Sequence, residues 1–253
     1  MDEHISVDVT EGVQTIRIDR PEKSNALTAE MYEAAADALA LADHDTAVRA
    51  VLFAGMPGVF TAGHDVDELR QYLDSSTFGE SPVRFMKTLA TVDKPVVAAV
   101  DGLAVGIGTT MLFHCDFVVA SEWSIFSSPF ADLGMPPEAG SSLLAPGIMG
   151  HHFAFELLVM GEQFDAQRAL AVGLINRVVV PEDLDSVALG YARALSAKPP
   201  QAVRLARRLL RGDRRDVVNR IGLEAGSFPE LMHSPAAHDA LLAFLDRNRD
   251  QFS

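Results

Sequence analysis

The chain has 253 residues, 48% of them hydrophobic, with a formal net charge of −14 and a mean hydropathy of +0.13. That length carries one large domain, or a domain with a helical appendage, and no apolar run reaches the ~20 residues of a membrane-spanning helix. The acidic balance argues against nucleic acid as the main partner, since phosphate recognition needs a basic surface, but an anionic small molecule needs only a few local cations.

The first residues, Met1-Asp2-Glu3-His4, are acidic, unlike a secretory signal or a mitochondrial presequence, and Asp250-Gln251-Phe252-Ser253 carries no peroxisomal tripeptide. The single cysteine, Cys115, excludes an internal disulfide and suits a reducing compartment. A cytoplasmic protein without membrane attachment is expected.

In chain order, Ile5–Val9 and Thr15–Asp19 read as strands around a Glu11-Gly12 turn. Arg20–Leu27 is a loop, and Thr28 is placed to cap an Ala-rich helix over Ala29–Asp43. Arg49–Phe53 reads as a strand, Gly55–Gly63 as a Gly/Pro loop, Val66–Leu73 as a short helix and Ser81–Val92 as another. Pro95–Val100 is a β-branched run, broken by Gly102, Gly106 and Gly108 before an apolar helix over Thr109–His114. Strands over Phe117–Ala120 and Ser124–Phe126 precede a turn-rich loop, Ser127–Ser142. Helices are expected over Ser141–Leu144, His151–Met160 and Ala166–Val172, with a last strand at Ile175–Val179. Beyond Pro181 the segments Leu184–Ala197, Gln201–Arg211, Arg215–Ser227 and Ala236–Asn248 all read helical. Strands separated by helices indicate an α/β architecture. Lys198-Pro199-Pro200 marks a seam between an α/β core over 1–197 and a helical segment over 198–253.

A strand, a glycine turn and a helix place the amides of Gly106, Ile107 and Gly108 at a helix mouth, where the dipole favours negative charge. A dinucleotide fingerprint fails there, because position 111 is Met, and a Walker-type loop lacks its Gly-Lys-Ser/Thr. The second glycine turn, Phe60-Thr61-Ala62-Gly63-His64-Asp65, also follows a strand and offers the N–H of His64. Two such amides meeting at one oxygen would stabilise charge as it develops.

Arg20-Pro21…Asn25-Ala26-Leu27, Phe60–Asp65, Lys94–Gly102, Cys115-Asp116 and Ala171–Val179, taken in order, resemble the crotonase (enoyl-CoA hydratase/isomerase) superfamily over essentially the whole chain. The resemblance implies a ClpP/crotonase-like fold of stacked ββα units with a C-terminal helical segment that mediates trimers or dimers of trimers. It implies acyl-CoA thioester substrates, with coenzyme A part of the substrate and no separate cofactor. It carries the paired oxyanion amides onto His64 and Ile107, and coenzyme A contacts onto Ala62, Gly63, His64, Asp65 and Val66, with Gly106 and Phe130 beside the acyl group. At position 64 many relatives carry a smaller residue.

The positions that match the two catalytic glutamates of the hydratases are Thr110 and Phe130. Water addition needs one group to activate water and one to deliver a proton, so a standard hydratase mechanism is not expected. Pro137-Glu138-Ala139-Gly140-Ser141-Ser142 is similar to the loop of the Δ3,Δ2-enoyl-CoA isomerase branch, which carries a single base. Glu138 is therefore the expected proton carrier, in a pocket formed by Phe126, Phe130, Leu133 and Met135. Read from its position alone, Glu138 is a solvated acid at a helix N-terminus, and Asp132 is the rival acid. The alternatives are a hydratase or other crotonase reaction, or a non-catalytic scaffold that binds coenzyme A.

No G-x-S-x-G frame supports a Ser/His/Asp triad, and His114, His151 and His152 lack metal-ligand spacing, so no metal is expected. Cys115 reads as a small buried hydrophobe. Arg204, Arg207, Arg208, Arg211, Arg214 and Arg215 form a basic stripe that reads as a solvated face or a subunit contact. Binding of coenzyme A phosphates there is a further reading of the stripe, and Phe244 and Arg247 are further candidates to touch coenzyme A.

Overall fold

Period-two alternation at the N-terminus becomes an antiparallel pair, β1 (Ile5–Thr10) and β2 (Val13–Ile18), turned by Glu11 and Gly12 at φ 53° and 78°. The computed structural model describes residues 2–72, 79–232 and 234–247. α1 (Ala29–His44) opens with Thr28 accepting from the Met31 N–H, the cap its sequence position predicts. Next come β3 (Ala50–Ala54), β4 (Val59–Thr61), α2 (Val66–Tyr72) and α3 (Glu80–Thr91). β5 (Val96–Val100), β6 (Leu103–Val105) and α4 (Ile107–Thr110) lead through a 3-10 turn, Met111–His114, to β7 (Phe117–Ser121) and β8 (Ile125–Ser127). α5 (Ser141–Met149), α6 (His151–Leu158), β9 (Phe164–Asp165), α7 (Ala166–Ala171), β10 (Arg177–Val179) and α8 (Leu184–Ser196) complete the α/β part. The tail is α9 (Pro200–Arg211), α10 (Arg214–Met232) and α11 (Pro235–Arg247).

Two sheets result. The six-stranded sheet runs β1-β2-β3-β5-β7-β10 and the four-stranded sheet β4-β6-β8-β9. The pairs β3/β4, β5/β6 and β7/β8 each give one strand to the large sheet and the next to the small one, and helices follow them. This is the stacked ββα arrangement expected from the sequence. All pairings from β2 to β10 in the large sheet, and from β4 to β8 in the small one, are parallel.

A parallel sheet covered on both faces needs continuous apolar strands, and β3 and β5 are buried throughout. Val51 and Phe53, with Val96, Ala98 and Val100, face the main core alongside α1 and α3. Ala50, Leu52, Ala54, Val97 and Ala99 face the opposite side, against Leu184, Ala188 and Ala192 of α8. Each large side chain buried this way contributes about 1.5–3 kcal/mol.

Several boundaries differ from the sequence reading. The loop over 55–63 contains β4, and Leu103–Val105, between two glycines, is β6; three-residue strands are too short to show a period. The expected helix over Thr109–His114 begins at Ile107 and tightens into a 3-10 turn at Met111. α5 continues through Pro146 to Met149, and α10 reaches Met232. Leu73, Asn248 and the side chains of Phe244 and Arg247 lie outside the described residues. No helix among the described residues is long and apolar enough to cross a membrane.

Candidate active site

The first turn of the site is built by the loop before α1. Asn25 is fully buried at φ 55°, and its amide nitrogen donates to the carbonyls of Ile18, Val59 and Phe60. Thr61 Oγ1 donates to Asn25 O at 2.6 Å and accepts from Gly63 N at 3.0 Å. Leu27 N donates to Gly63 O and Asp65 N donates to Leu27 O, a bridge that uses the groups on either side of His64. The Arg20–Leu27 motif thus fixes the backbone path through residue 64.

The second turn sits beside it because β4 and β6 are parallel neighbours. A Cβ on Gly63 would lie 2.9 Å from Val105 O and 3.9 Å from Gly106 Cα, so the two turns touch. Gly106 has φ 56° and ψ −118°, and its N–H is used by Ser127 O at 2.9 Å. This removes Gly106 from the three amides read at the helix mouth. Thr109 and Thr110 N–H return to Gly106 O, so the bonding of α4 starts after Ile107 and Gly108. The two glycines serve different ends. A Cβ on Gly108 would strike Thr61 at 2.7 Å, whereas one on Gly106 would meet only Glu138 Oε1, at 4.0 Å.

The third part is the Glu138 loop. Ala139 and Gly140 take φ 61° and 70°, turning the chain into α5. Glu224 of α10 holds that turn: its carboxylate accepts from Gly140 N at 2.6 Å, Ser142 N at 3.1 Å and Ser142 Oγ at 2.5 Å. From the other side, His114 Nε2 meets Ala139 O at 2.6 Å. Burial pulls the His114 imidazole down to about 4, so it is neutral and Nε2–H donates. Glu138 itself is 8% exposed, not a solvated helix acid, and Oε1 is buried without a hydrogen-bond partner.

These parts border a cavity of about 680 Å³. Ala62, Gly63, His64, Val66, Gly106, Phe130 and Glu138 line it, as do Leu133, Met135 and Asp132. Ile107 is fully buried at the head of α4. Asp65 is turned away from the cavity. Its carboxylate pairs with Arg20 at 2.6 Å and accepts from Asp67 N at 2.9 Å as α2 begins. Phe126 is buried in β8 rather than in the cavity wall, and Thr110 is buried as the last residue of α4.

Sequence reading missed one contact set. His64 Nε2 lies 2.9 Å from Glu138 Oε2, and Nδ1 lies 3.0 Å from the Tyr32 hydroxyl. Tyr32 is buried on α1, its ring 5.1 Å from the imidazole. Residues 32, 64 and 138 share no local pattern, so only the position of a bulky residue at 64 hinted at this.

The arginine stripe is a solvated face only in part: the side chains of Arg204, Arg208 and Arg215 are exposed, and those of Arg207, Arg211 and Arg214 turn onto the core. Arg207 and Arg211 pair with Asp116 at 2.7 and 2.9 Å, and Arg208 and Arg214 pair with Asp93, each at 2.7 Å. Cys115 is partly exposed, but burial of its thiol pushes it up to about 12, which leaves it unreactive. Among the described residues no group of three or more His, Cys, Asp or Glu is placed to hold a metal.

Two turns aimed at one cavity, and a lone buried carboxylate opposite, belong to a known architecture. The family model for enoyl-CoA hydratase/isomerase matches residues 8–253, and the chain belongs to that family. The fold is similar to the crystal structure of an enoyl-CoA hydratase/isomerase from Pseudoalteromonas atlantica T6c, 36% identical, with TM-score 0.91 over 97% of this chain and 98% of that one. In sequence it is 30% identical to 1,2-epoxyphenylacetyl-CoA isomerase of Escherichia coli over 100% of this chain and 99% of that protein. It is 29% identical to short-chain-enoyl-CoA hydratase of Clostridium acetobutylicum, over 94% and 92%.

Proposed function

We propose that this family member acts on an acyl-CoA thioester and shifts a double bond from C3 to C2, with Glu138 as its one base. The observation that carries this is the buried carboxylate of Glu138, a residue lining the cavity, whose Oε1 has no hydrogen-bond partner among the described residues and lies 4.0 Å from where a Cβ on Gly106 would stand. The positions that hold hydratase glutamates carry Thr110 and Phe130 here. Glu138 Oε1 takes the C2 proton of a 3-enoyl thioester. The electron pair spreads onto the thioester oxygen, which accepts from the amides of His64 and Ile107. The same carboxyl returns the proton to C4, the double bond stands at C2, and the carboxylate is restored. Losing one such amide donor costs about 3–4 kcal/mol of transition-state stabilisation. Coenzyme A would lie along Ala62, Gly63 and Val66.

Hydration is the second reading, favoured by Asp132, an additional carboxylate on the same cavity, and by the hydratase name of a relative. Incubation with 3-enoyl-CoA and, separately, 2-enoyl-CoA tests both. Rising conjugated-thioester absorbance in the first, without hydration in the second, is expected. Glu138→Gln lowers kcat on 3-enoyl-CoA about 1,000-fold with coenzyme A binding kept, as expected for loss of a general base. Hydration at a comparable rate, lost in Asp132→Asn, transfers the assignment to the hydratase. Binding without any turnover makes the protein a scaffold.

A further inference from the structure

We propose that the His64 imidazole, set by Tyr32, is a positioning residue that pins Oε2 of Glu138 and so presents Oε1 to the substrate. This rests on Glu138 being the base. The terminal torsion of a glutamate is soft and roughly two-fold, so an untethered carboxylate exchanges its oxygens freely. Here the two are inequivalent. Oε2 lies 2.9 Å from His64 Nε2, whereas Oε1, on the Gly106 side of this cavity-lining residue, has no hydrogen-bond partner among the described residues.

The hydrogen-bond directions follow from the donors. The Tyr32 hydroxyl, 3.0 Å from Nδ1, is a donor when that nitrogen bears no proton. The Glu138 carboxylate oxygen can only accept, so a singly protonated imidazole carries its proton on Nε2 and leaves Nδ1 to accept from the Tyr32 hydroxyl. Tyr32 O–H to Nδ1, then Nε2–H to Oε2, is a consistent one-way chain ending at the base. When Oε1 takes a proton from C2, Oε2 remains an acceptor, so the chain persists through the reaction and His64 transfers nothing. Tyr32 is 1% exposed and packs on Phe85 at 5.6 Å between ring centres, which holds the chain's far end still.

The side chain can be tested apart from the backbone, because every residue but proline keeps the amide at 64. His64→Ala, His64→Gln and Tyr32→Phe are compared with wild type for thermal unfolding, for kcat and KM on 3-enoyl-CoA, and by 15N NMR of the imidazoles. The resonance missing in His64→Gln identifies residue 64. Expected are about a 100-fold fall in kcat for His64→Ala with KM nearly unchanged, and recovery of about tenfold in His64→Gln, whose amide N–H reaches Oε2. The wild-type ring shows the Nε2–H tautomer, and Tyr32→Phe gives a mixture with reduced kcat.

An unchanged kcat in a folded His64→Ala, or His64→Gln no better than Ala, overturns the proposal. A mixed tautomer in wild type overturns it with Glu138 still the base. If wild type fails to turn over 3-enoyl-CoA, the function assigned to Glu138 fails first, and the positioning role falls with it even where the NMR signature is present.

Discussion

At position 64 the backbone path is fixed by Asn25, Thr61 and Leu27, while the side chain reaches Glu138, which lines the same cavity. His114 is the complementary case: a histidine whose whole value lies in being neutral. Its ordinary value of 6.5 is lowered to about 4 by burial, with Arg211 and Arg207 adding to the effect. The folded chain therefore resists protonation that the unfolded chain accepts. The stabilisation is fully present above pH 6.5 and is lost as pH falls toward about 4, a change of about 3 kcal/mol. Denaturant unfolding between pH 7 and 4 is expected to show this decline, and His114→Gln to flatten it. The same fall in both proteins would remove His114 as the cause. Glu138 was singled out in the sequence by the resemblance that Pro137 and Ser141-Ser142 carry, and the structure places it among the residues lining the cavity. Tyr32 was not, because an apolar helix face looks the same whether or not one hydroxyl finds a ring nitrogen.

Helices show what a pattern leaves undecided. α9 is strongly two-faced, and a two-faced helix is normally laid down with its apolar side inward. Here the sole fully buried side chain of α9 is Arg207, and its neighbours Arg208 and Arg211 bond to Asp93 and Asp116. The arginines dock the tail onto the core, and Leu205, Leu209 and Leu210 face outward at 59%, 76% and 88% exposure. Periodicity identified the element; the acids that reverse its orientation lie far away in sequence. α10 acts on the site more directly through Glu224. Glu224→Ala leaves the N–H groups of Gly140 and Ser142 without their acceptor, at a cost of about 1–3 kcal/mol. A lower melting temperature and a lower kcat are expected together, since the turn that carries Glu138 loosens. A variant with wild-type kcat and reduced melting temperature would confine Glu224 to stability.

For the molecule as a whole, the ββα rhythm delivers neighbouring parallel strands to the small sheet, and this sets the turns of Gly63 and Gly106 side by side. The spacing of the motifs did not establish that convergence; the family resemblance implied it, and β4 and β6 themselves were hidden among glycines. The outward leucines of α9 offer an apolar contact face, and with the trimer or dimer of trimers that the family resemblance implies we propose that α9 contributes to such an assembly. Light scattering is expected to give three or six times the chain mass of 27.3 kDa, and Leu209→Glu with Leu210→Glu to release single chains. A monomeric wild type would refute the assembly.

The wall behind Glu138 includes Ile221, Glu224 and Phe228, residues that the ribosome adds late. Both sheets are complete in sequence by Val179, well before that wall exists. A nascent chain therefore holds the residues of both sheets and of the main cavity before α10 is made, and Glu224, which fixes the turn carrying Glu138, is added only after them.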